Sequence, residues 1–350
     1  MNDEILIRPA DSNDTPEILK LLGASLGKTG SIPRNAAYWH WKHESSPFGP
    51  SAALVAEAEG HIVGLRIFMH WCWTAGGQNV PAVRAVDTAT HPDWQGRGIF
   101  TRLTLNLVKR MRAEGTSFVF NTPNERSRPG YIKMGWVSLG RVSLLILPLR
   151  PWAMLSALVD HAPRDNRPMA SDAERDRAEL TFAGESVQEF LREPDIERFL
   201  EDVTLVDSRL CTAVTKTYLR WRYLEIPEFE YRVDWVRKGS EGAVVFSRLR
   251  PRGRLLELRV CQVMLGRSRA STLLARDLLR KIARNTGVDY AVALGAPRSP
   301  ERRALIRAGF LPAPRLGPTL TVRRLSPSPV RPDPTRRVDW RLSIGDLELF

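Results

Sequence analysis

The sequence is poor in residues that could form a metal site or a disulfide framework. It contains only three cysteines (Cys72, Cys211 and Cys261), which lie far apart and form no C-x-x-C pair. Its six histidines show no ligand spacing either. Because structural zinc sites and disulfide-rich folds both depend on close, regular spacing, the sequence predicts neither, and we expect no metal.

Long hydrophobic runs and a basic leader are also missing. The nearest candidate for a membrane span, residues 142–159, is interrupted by Pro148, Arg150 and Pro151, whereas a spanning helix needs about 20 mostly apolar residues. The first residues, MNDEILIRPA, carry acids where a secretory signal has a basic start followed by an apolar stretch. We therefore expect a cytoplasmic protein without a membrane span.

Charge is the most unbalanced feature of the composition. The formal net charge is +13, from 52 basic and 39 acidic residues, and such an excess suits nucleic acid, a membrane surface or a phosphorylated cofactor. The sequence has no block of five or more like charges, no RNP-type aromatic motif and no zinc-finger spacing. We therefore favour a phosphorylated cofactor and expect no nucleic-acid partner.

The first half of the chain alternates between strand and helix patterns, and its 350-residue length permits two domains. After an N-terminal strand, helix and hairpin, the patterns predict elements at residues 83–90 (strand), 98–114 (helix), 117–121 (strand), 126–134 (short helix) and 137–147 (strand). This alternation predicts an α/β fold with a mixed sheet. Residues 161–177 are polar, charged and proline-containing, which indicates a linker.

The second half repeats features of the first. Tyr38-x-x-Trp41 recurs as Tyr218-x-x-Trp221, the Gly60–Gly64 hairpin recurs near Gly242, and Gly135-Trp136 recurs as Gly309-Phe310, at offsets of 180, 178 and 174 residues. Three echoes in one order at nearly one offset favour a duplication. If the second half has no active site, retention of the Tyr-x-x-Trp pair points to packing, because residues three apart share a helix face.

Residues 85–103 carry the clearest chemical signal. They run from a strand, through the glycine-rich loop Gln95-Gly96-Arg97-Gly98, into a helix. The first amides of a helix have no intrahelical partners and face the positive end of the helix dipole, so they form an anion site suited to a pyrophosphate. Glycine lets the backbone approach such a group closely.

This stretch resembles the acyl-CoA signature of the GNAT N-acetyltransferases, Q/R-x-x-G-x-G/A. Further GNAT features follow in order: Asn124, Tyr131 and Gly135-Trp136 after a short helix. The resemblance covers roughly residues 4–147 and implies two GNAT-type acyl-CoA N-acyltransferase domains in tandem. It implies that acetyl-CoA, as cosubstrate, is bound by Ala89, Thr90, His91, Gln95, Gly96, Arg97, Gly98, Ile99, Phe100, Thr101 and Asn124.

Phe100 departs from the signature, which has Gly or Ala at that position. Its backbone amide remains available to a phosphate, but its bulk is expected to reshape the groove beside the pantetheine arm. The preferred acyl chain therefore stays open.

The resemblance also assigns catalytic roles. Tyr131 matches the family's general acid, since a phenol can protonate a thiolate of similar basicity. We select Asp87 as the candidate base because it lies on the strand that leads into the loop, where burial would raise its pKa. A structural role for Asp87 stays open, and Glu125 is the next candidate.

The second half lacks these features. Its loop after residue 265 reads Gly-Arg-Ser-Arg-Ala-Ser, and aligning Gly309-Phe310 with Gly135-Trp136 places Leu305 at the Tyr131 position and Arg298 at the Asn124 position. We therefore predict a GNAT domain at residues 1–150, a linker at 151–178, a degenerate GNAT-like domain at 179–325 and a tail at 326–350. The alternating apolar residues of that tail predict a docked strand.

The predicted activity is acetyl-CoA-dependent N-acetylation of a primary amine on a small molecule, such as an amino sugar or an amino-acid derivative. Two other functions remain open: N-acetylation of a protein or peptide, and acyl-CoA binding without catalysis. The sequence does not indicate the oligomeric state.

Overall fold

The computed structural model describes residues 5–26, 34–159, 184–204 and 206–347. Two mixed sheets, one for each half of the chain, form its framework. The first sheet has the order β1-β2-β3-β4-β5-β15-β6, with β9 paired to β3. Its strands are β1 (Leu6–Pro9), β2 (Ala52–Ala58), β3 (His61–Ala75), β4 (Gln78–Thr90), β5 (Phe118–Asn121), β6 (Val137–Arg141), β9 (Cys211–Thr212) and β15 (Thr319–Arg324).

The second sheet repeats this plan. Its order from the opposite end is β8-β10-β11-β12-β13-β7-β14, and the β12–β13 pair is parallel, as is the β4–β5 pair of the first sheet. The matching orders confirm the tandem arrangement predicted from the sequence echoes. The strands are β7 (Leu144–Pro148), β8 (Glu185–Ser186), β10 (Arg232–Lys238), β11 (Glu241–Arg252), β12 (Leu255–Leu265), β13 (Tyr290–Ala293) and β14 (Leu311–Ala313).

The two halves exchange one strand each. β15, from the second half, pairs with β5 and β6 in the first sheet, whereas β7, from the first half, pairs with β13 and β14 in the second. The predicted single strand at residues 137–147 is therefore wrong. It is two strands in different sheets, because the chain crosses between the halves after β6.

Helices pack on both sheets. Besides the α-helices, residues His40–Glu44 form a π-helical turn that continues α2. Pro151–Val159 is helical within the predicted 151–178 linker, and the rest of that linker lies outside the described residues. The helices are α1 (Thr15–Leu26), α2 (Ala36–Trp39), α3 (Ile99–Ala113), α4 (Arg128–Lys133), α5 (Pro151–Val159), α6 (Val187–Phe190), α7 (Ile196–Val203), α8 (Lys216–Tyr223), α9 (Arg269–Asn285), α10 (Pro300–Ala308) and α11 (Ile344–Leu347).

One hydrophobic cluster joins the two halves, and a tryptophan pair lies within it. The rings of Trp41 and Trp221 stack with centroids 5.0 Å apart. Trp41 Nε1 donates to the Trp221 carbonyl at 2.7 Å, and Trp221 Nε1 donates to the Trp41 carbonyl at 2.8 Å. Each tryptophan stacks on the other and donates a hydrogen bond to the other's carbonyl. The repeated Tyr-x-x-Trp motif therefore serves packing at the junction of the halves.

The tail docks into this junction, but its last described residues are helical where the sequence pattern predicts a strand. Trp340 is fully buried. Ser343 N donates to Asp346 Oδ2 at 2.6 Å, and Asp346 N donates to Ser343 Oγ at 3.3 Å. This reciprocal capping favours the α11 turn, and alternating hydrophobicity over a few residues could not reveal it.

Candidate active site

A bulge in β4 opens the first sheet. The register between β3 and β4 shifts so that Asp87 and Thr88 together oppose Arg66, and Asp87 has a φ of 33°, which is uncommon for a residue other than glycine. β4 pairs with β5 only over Ala82–Arg84. The two strands therefore separate beyond that point, leaving a gap at the level of Thr88.

The start of α3 lies at the mouth of this gap. Gly96 and Gly98 have φ values of 78° and 73°, and a Cβ built on either would meet nothing within 4 Å. Gly98 is the N-cap and provides no side-chain cap. The amides of the first helical turn, from Ile99 onward, therefore lack intrahelical partners, as an anion site requires.

A groove of about 550 Å³ runs between the β4 edge and this helix start. It contains seven of the eleven predicted cofactor residues: Ala89, Thr90, Gln95, Gly96, Gly98, Ile99 and Phe100. Six further lining residues belong to no motif and were not predicted from the sequence: Ser25, Thr88, Trp94, Arg126, Ser127 and Gly130.

The other four predicted cofactor residues lie beside the groove. His91 Nδ1 accepts from Asp93 N at 3.4 Å, and its own amide donates to Val63 O at 2.9 Å, so this residue shapes the turn. Arg97 lies over the Trp94 ring at 4.3 Å. Thr101 is exposed in the first turn of α3. Asn124 Oδ1 accepts from Ser127 N at 2.9 Å and therefore caps the loop before α4.

Tyr131 lies directly behind the groove. It follows the lining residue Gly130, is 5% exposed and packs edge-on against Phe100, with ring centroids 5.5 Å apart. A Cβ on Gly130 would come within 3.1 Å of the Phe100 ring. Phe100 therefore fills space between α3 and α4 next to the predicted acid.

Asp87 lies on the same bulge but contacts the π-helical turn. Lys42 Nζ is 2.5 Å and His43 Nε2 is 2.9 Å from Asp87 Oδ2, and His43 Nδ1 is 3.0 Å from Ser51 Oγ. The Lys42 and His43 side chains are 1% and 4% exposed, whereas the Asp87 side chain is 21% exposed. The two buried side chains thus hold the Asp87 carboxylate in place, and part of the carboxylate remains exposed to solvent.

The expected rise in the pKa of Asp87 is wrong. Burial does raise it, but the Lys42 charge and the hydrogen bonds from His43 and Lys42 outweigh burial and hold the pKa of Asp87 below its ordinary value. Burial lowers the pKa of Lys42 to about 8, and Asp87 opposes that shift. No motif marks these two partners, which are 45 and 44 residues from Asp87 in sequence.

Glu125 is not close to this network. Its side chain is 81% exposed, and Oε1 lies 3.8 Å from Arg141 Nη2. It therefore has the surroundings of a surface charge.

The equivalent helix start in the second half is closed by the protein itself. The Glu241 carboxylate accepts hydrogen bonds from the Ser268 and Ser271 hydroxyls at the start of α9, and Ser268 Oγ also accepts from Ser271 N at 3.0 Å. A Cβ on Gly266 would come within 2.7 Å of Ser271 Oγ. A fixed carboxylate thus takes the place that an anionic ligand would need, which agrees with a degenerate second half.

Across the ranges that the structure describes, no helix is long and apolar enough to cross a membrane. The same residues contain no group of three or more His, Cys, Asp or Glu side chains that could hold a metal ion.

Comparison with known proteins identifies the family. A family model described as acetyltransferase (GNAT) domain matches residues 6–138, and no curated protein matches the chain in sequence. A GCN5-related N-acetyltransferase from Anabaena variabilis is 11% identical, with a TM-score of 0.63 over 92% of this chain and 73% of that one. Eis1 from Mycobacterium abscessus is 15% identical, with a TM-score of 0.54 over 92% and 74%.

N-myristoyltransferase from Saccharomyces cerevisiae, solved with bound myristoyl-CoA, is 12% identical, with a TM-score of 0.53 over 92% of this chain and 82% of that one. At these identities the likeness shows the fold. The splayed β4–β5 pair, the glycine-rich start of α3 and the family match agree with one another. Residues 6–138 therefore form a GNAT acetyltransferase domain, and the chain as a whole has the GNAT fold.

Proposed function

We propose that this protein transfers an acetyl group from acetyl-CoA to the primary amine of a small molecule. The observation that carries the proposal is that two consecutive residues share one β-bulge: Thr88, which lines the groove, and Asp87, whose carboxylate is partly exposed. One residue of the proposed cofactor site, Thr88, is therefore adjacent in sequence to the proposed amine-binding residue, Asp87.

The groove suits the chemistry of a coenzyme A molecule. Its helix start offers unpaired amides to the pyrophosphate, and Arg126 also lines the groove. The β4 edge at Ala89 and Thr90 offers peptide groups to the pantetheine arm, as in strand addition. Phe100 narrows the inner end beside Tyr131, which favours a short acyl group such as acetyl.

The chemistry follows from these positions. The neutral amine attacks the thioester carbon, a C–N bond forms, and the C–S bond then breaks to release the CoA thiolate. Tyr131 donates its phenolic proton to that thiolate, and Asp87 accepts the proton that leaves the nitrogen. A carboxylate of low pKa suffices, because nitrogen bonded to the former carbonyl carbon is far more acidic than a free ammonium.

The acceptor side favours a small molecule over a protein segment. Asp87 faces the junction of the halves, where Trp41, one residue from Lys42, stacks on Trp221 of the second half. On its exposed side the Asp87 carboxylate can accept a hydrogen bond from the N–H of a neutral amine. Transfer to a protein or peptide, and acyl-CoA binding without turnover, remain the alternatives.

The first experiment is calorimetric titration of acetyl-CoA and CoA into the wild type, Gly98→Trp and Gly115→Trp. Gly98 and Gly115 stand at opposite ends of α3, have φ values of 73° and 80° and have open space at Cβ. They therefore carry matched backbone strain, but only the first borders the groove. We expect micromolar binding to the wild type and to Gly115→Trp, and none to Gly98→Trp.

Turnover is then measured as thiol release with panels of small amines and of peptides. Release with small amines supports the proposal, and release with peptides alone supports the protein acceptor. Binding without release from either panel supports the non-catalytic alternative. Loss of binding in both tryptophan variants, or in neither, would refute the assignment of the groove.

A further inference from the structure

A buried arginine lies behind the inner wall of the groove. Arg66, on β3 opposite the bulge, is 1% exposed. Its Nη1 donates a hydrogen bond to Thr88 Oγ1. Its Nε and Nη2 are buried and have no hydrogen-bond partner among the described residues. Burial of a guanidinium with unpaired N–H groups costs free energy, so other contacts of Arg66 must offset that cost.

Three aromatic rings around the guanidinium offset part of the cost. The Arg66 guanidinium carbon lies 5.0 Å from the Phe68 ring centroid, 5.2 Å from that of Tyr131 and 5.7 Å from that of Phe100. These faces stabilise the cation and hold the guanidinium plane in place. The positive charge is therefore fixed beside the proposed acid and behind the groove.

The hydrogen bond to Thr88 orients that hydroxyl. A threonine hydroxyl has one donor and two acceptor positions. When Arg66 occupies an acceptor position, the O–H remains available to donate, and the positive charge of Arg66 makes it a stronger donor. Thr88 lines the groove and follows Asp87 directly in the sequence, so its hydroxyl belongs to the residue next to the proposed base.

We propose that the Thr88 hydroxyl, oriented by Arg66, donates a hydrogen bond to the carbonyl oxygen of the acyl thioester. Negative charge develops on that oxygen when the amine attacks the carbonyl carbon. The oxygen's electron pair then re-forms the C=O bond as the C–S bond breaks, and the electrons of the C–S bond leave with the CoA thiolate. Thr88 is then a catalytic residue and Arg66 a positioning residue. The proposal rests on the proposed function, which places the thioester beside the bulge.

A rival use of Arg66 is direct binding of a carboxylate on the acyl group, as in succinyl-CoA. The geometry favours the thioester oxygen, because Arg66 is enclosed by Thr88 and three aromatic rings and does not itself border the groove. A dicarboxylic acyl group would have to displace Phe100 to reach it.

Activity measurements use Thr88→Val, Thr88→Ser and Arg66→Met. Thr88→Val keeps the shape and removes the hydroxyl, so we expect kcat to fall about 10²-fold, with the Kd for CoA unchanged. Thr88→Ser keeps the hydroxyl and is expected to stay within about threefold of the wild type. Arg66→Met leaves a hydroxyl without orientation, so kcat is expected to fall about tenfold.

A spectroscopic measurement separates this role from a structural one. In infrared difference spectra of bound acetyl-CoA labelled with ¹³C at the carbonyl, a hydrogen bond lowers the C=O stretching frequency. We expect the lowered frequency in the wild type and Thr88→Ser, and its return toward the free value in Thr88→Val and Arg66→Met. Thermal unfolding verifies that each variant is folded.

Unchanged kcat and C=O frequency in Thr88→Val overturn the inference. Preference of the wild type for succinyl-CoA over acetyl-CoA, lost in Arg66→Met, also overturns it, in favour of the carboxylate site. Absence of acetyl-CoA binding to the wild type refutes the proposed function itself. That result can be distinguished from the two results that overturn the inference, because in both of those the cofactor still binds.

Discussion

Lys42→Met, Asp87→Asn and the double variant form a thermodynamic cycle on the ion pair beside the bulge. Lys42 Nζ lies 2.5 Å from Asp87 Oδ2, and the lysine side chain is 1% exposed. At an effective dielectric constant of about 20, unit charges at this distance attract by about 7 kcal/mol. The desolvation of each ion cancels in the cycle, whereas solvent at the partly exposed Asp87 screens the attraction, so we expect a coupling free energy of about 3 kcal/mol.

Each single variant is expected to lower the free energy of unfolding by about 3 kcal/mol, because it leaves one charge without its partner. The double variant is expected to lose about as much as one single variant, since it removes both charges. Urea unfolding at pH 7, followed by tryptophan fluorescence, measures all four proteins. Additive losses in the double variant would contradict a direct interaction.

The sign of the pH dependence gives a second check on the same pair. The folded pKa of Lys42 is about 8, below the ordinary 10.5, so the unfolded chain binds more protons between these values and stability from this group rises with pH. Asp87→Asn removes the negative charge that opposes the lowering of the Lys42 pKa. The folded pKa of Lys42, which sets the lower end of this pH range, therefore falls below 8. The deficit of Asp87→Asn is therefore expected to narrow as the pH rises from 6 to 9. A deficit independent of pH would mean that Lys42 keeps its proton.

Two further predictions concern the proposed acid and the junction of the halves. Tyr131→Phe is expected to lower kcat about 10²-fold with an unchanged Kd for acetyl-CoA, whereas Glu125→Gln, a change at an exposed side chain, is expected to retain activity within about twofold. Steady-state thiol release measures both, and a larger loss in Glu125→Gln than in Tyr131→Phe would contradict both expectations. Trp41→Phe and Trp221→Phe each remove one of two reciprocal hydrogen bonds. Each is expected to lower the free energy of unfolding by about 2–3 kcal/mol. Urea unfolding checks this, and clearly unequal losses would contradict equivalent roles.

Predictions succeeded where the signal is short-range. The elements at residues 98–114 and 117–121 match α3 (Ile99–Ala113) and β5 (Phe118–Asn121) to within a residue or so. Helix periodicity, the glycines before α3 and the buried strand after it all lie within about 25 residues. The repeated Tyr-x-x-Trp motif likewise indicated packing, because a duplicated motif is visible in the sequence, and the structure places that packing at the junction of the halves.

The domain boundaries and the roles of individual site residues stay predictions. The exchange of β7 and β15 means that each predicted domain provides a strand to the other's sheet. Alternation alone gives no information on which sheet a strand joins, because an inward–outward pattern is the same in either. The helical turn of α11 was missed for a related reason, since Ser343 and Asp346 cap a segment that is short and largely apolar.

The sequence by itself determined the backbone shape of the glycine-rich loop before α3, because the turn at Gly96 and Gly98 and the amides at the start of α3 are properties of adjacent residues. Tertiary structure decided the electrostatics of the bulge. Lys42 and His43 keep the Asp87 carboxylate ionised, and Arg66 orients the Thr88 hydroxyl. These partners belong to other elements of the fold. A pKa depends on burial and on charges within a few ångströms, and only the folded chain brings those groups together.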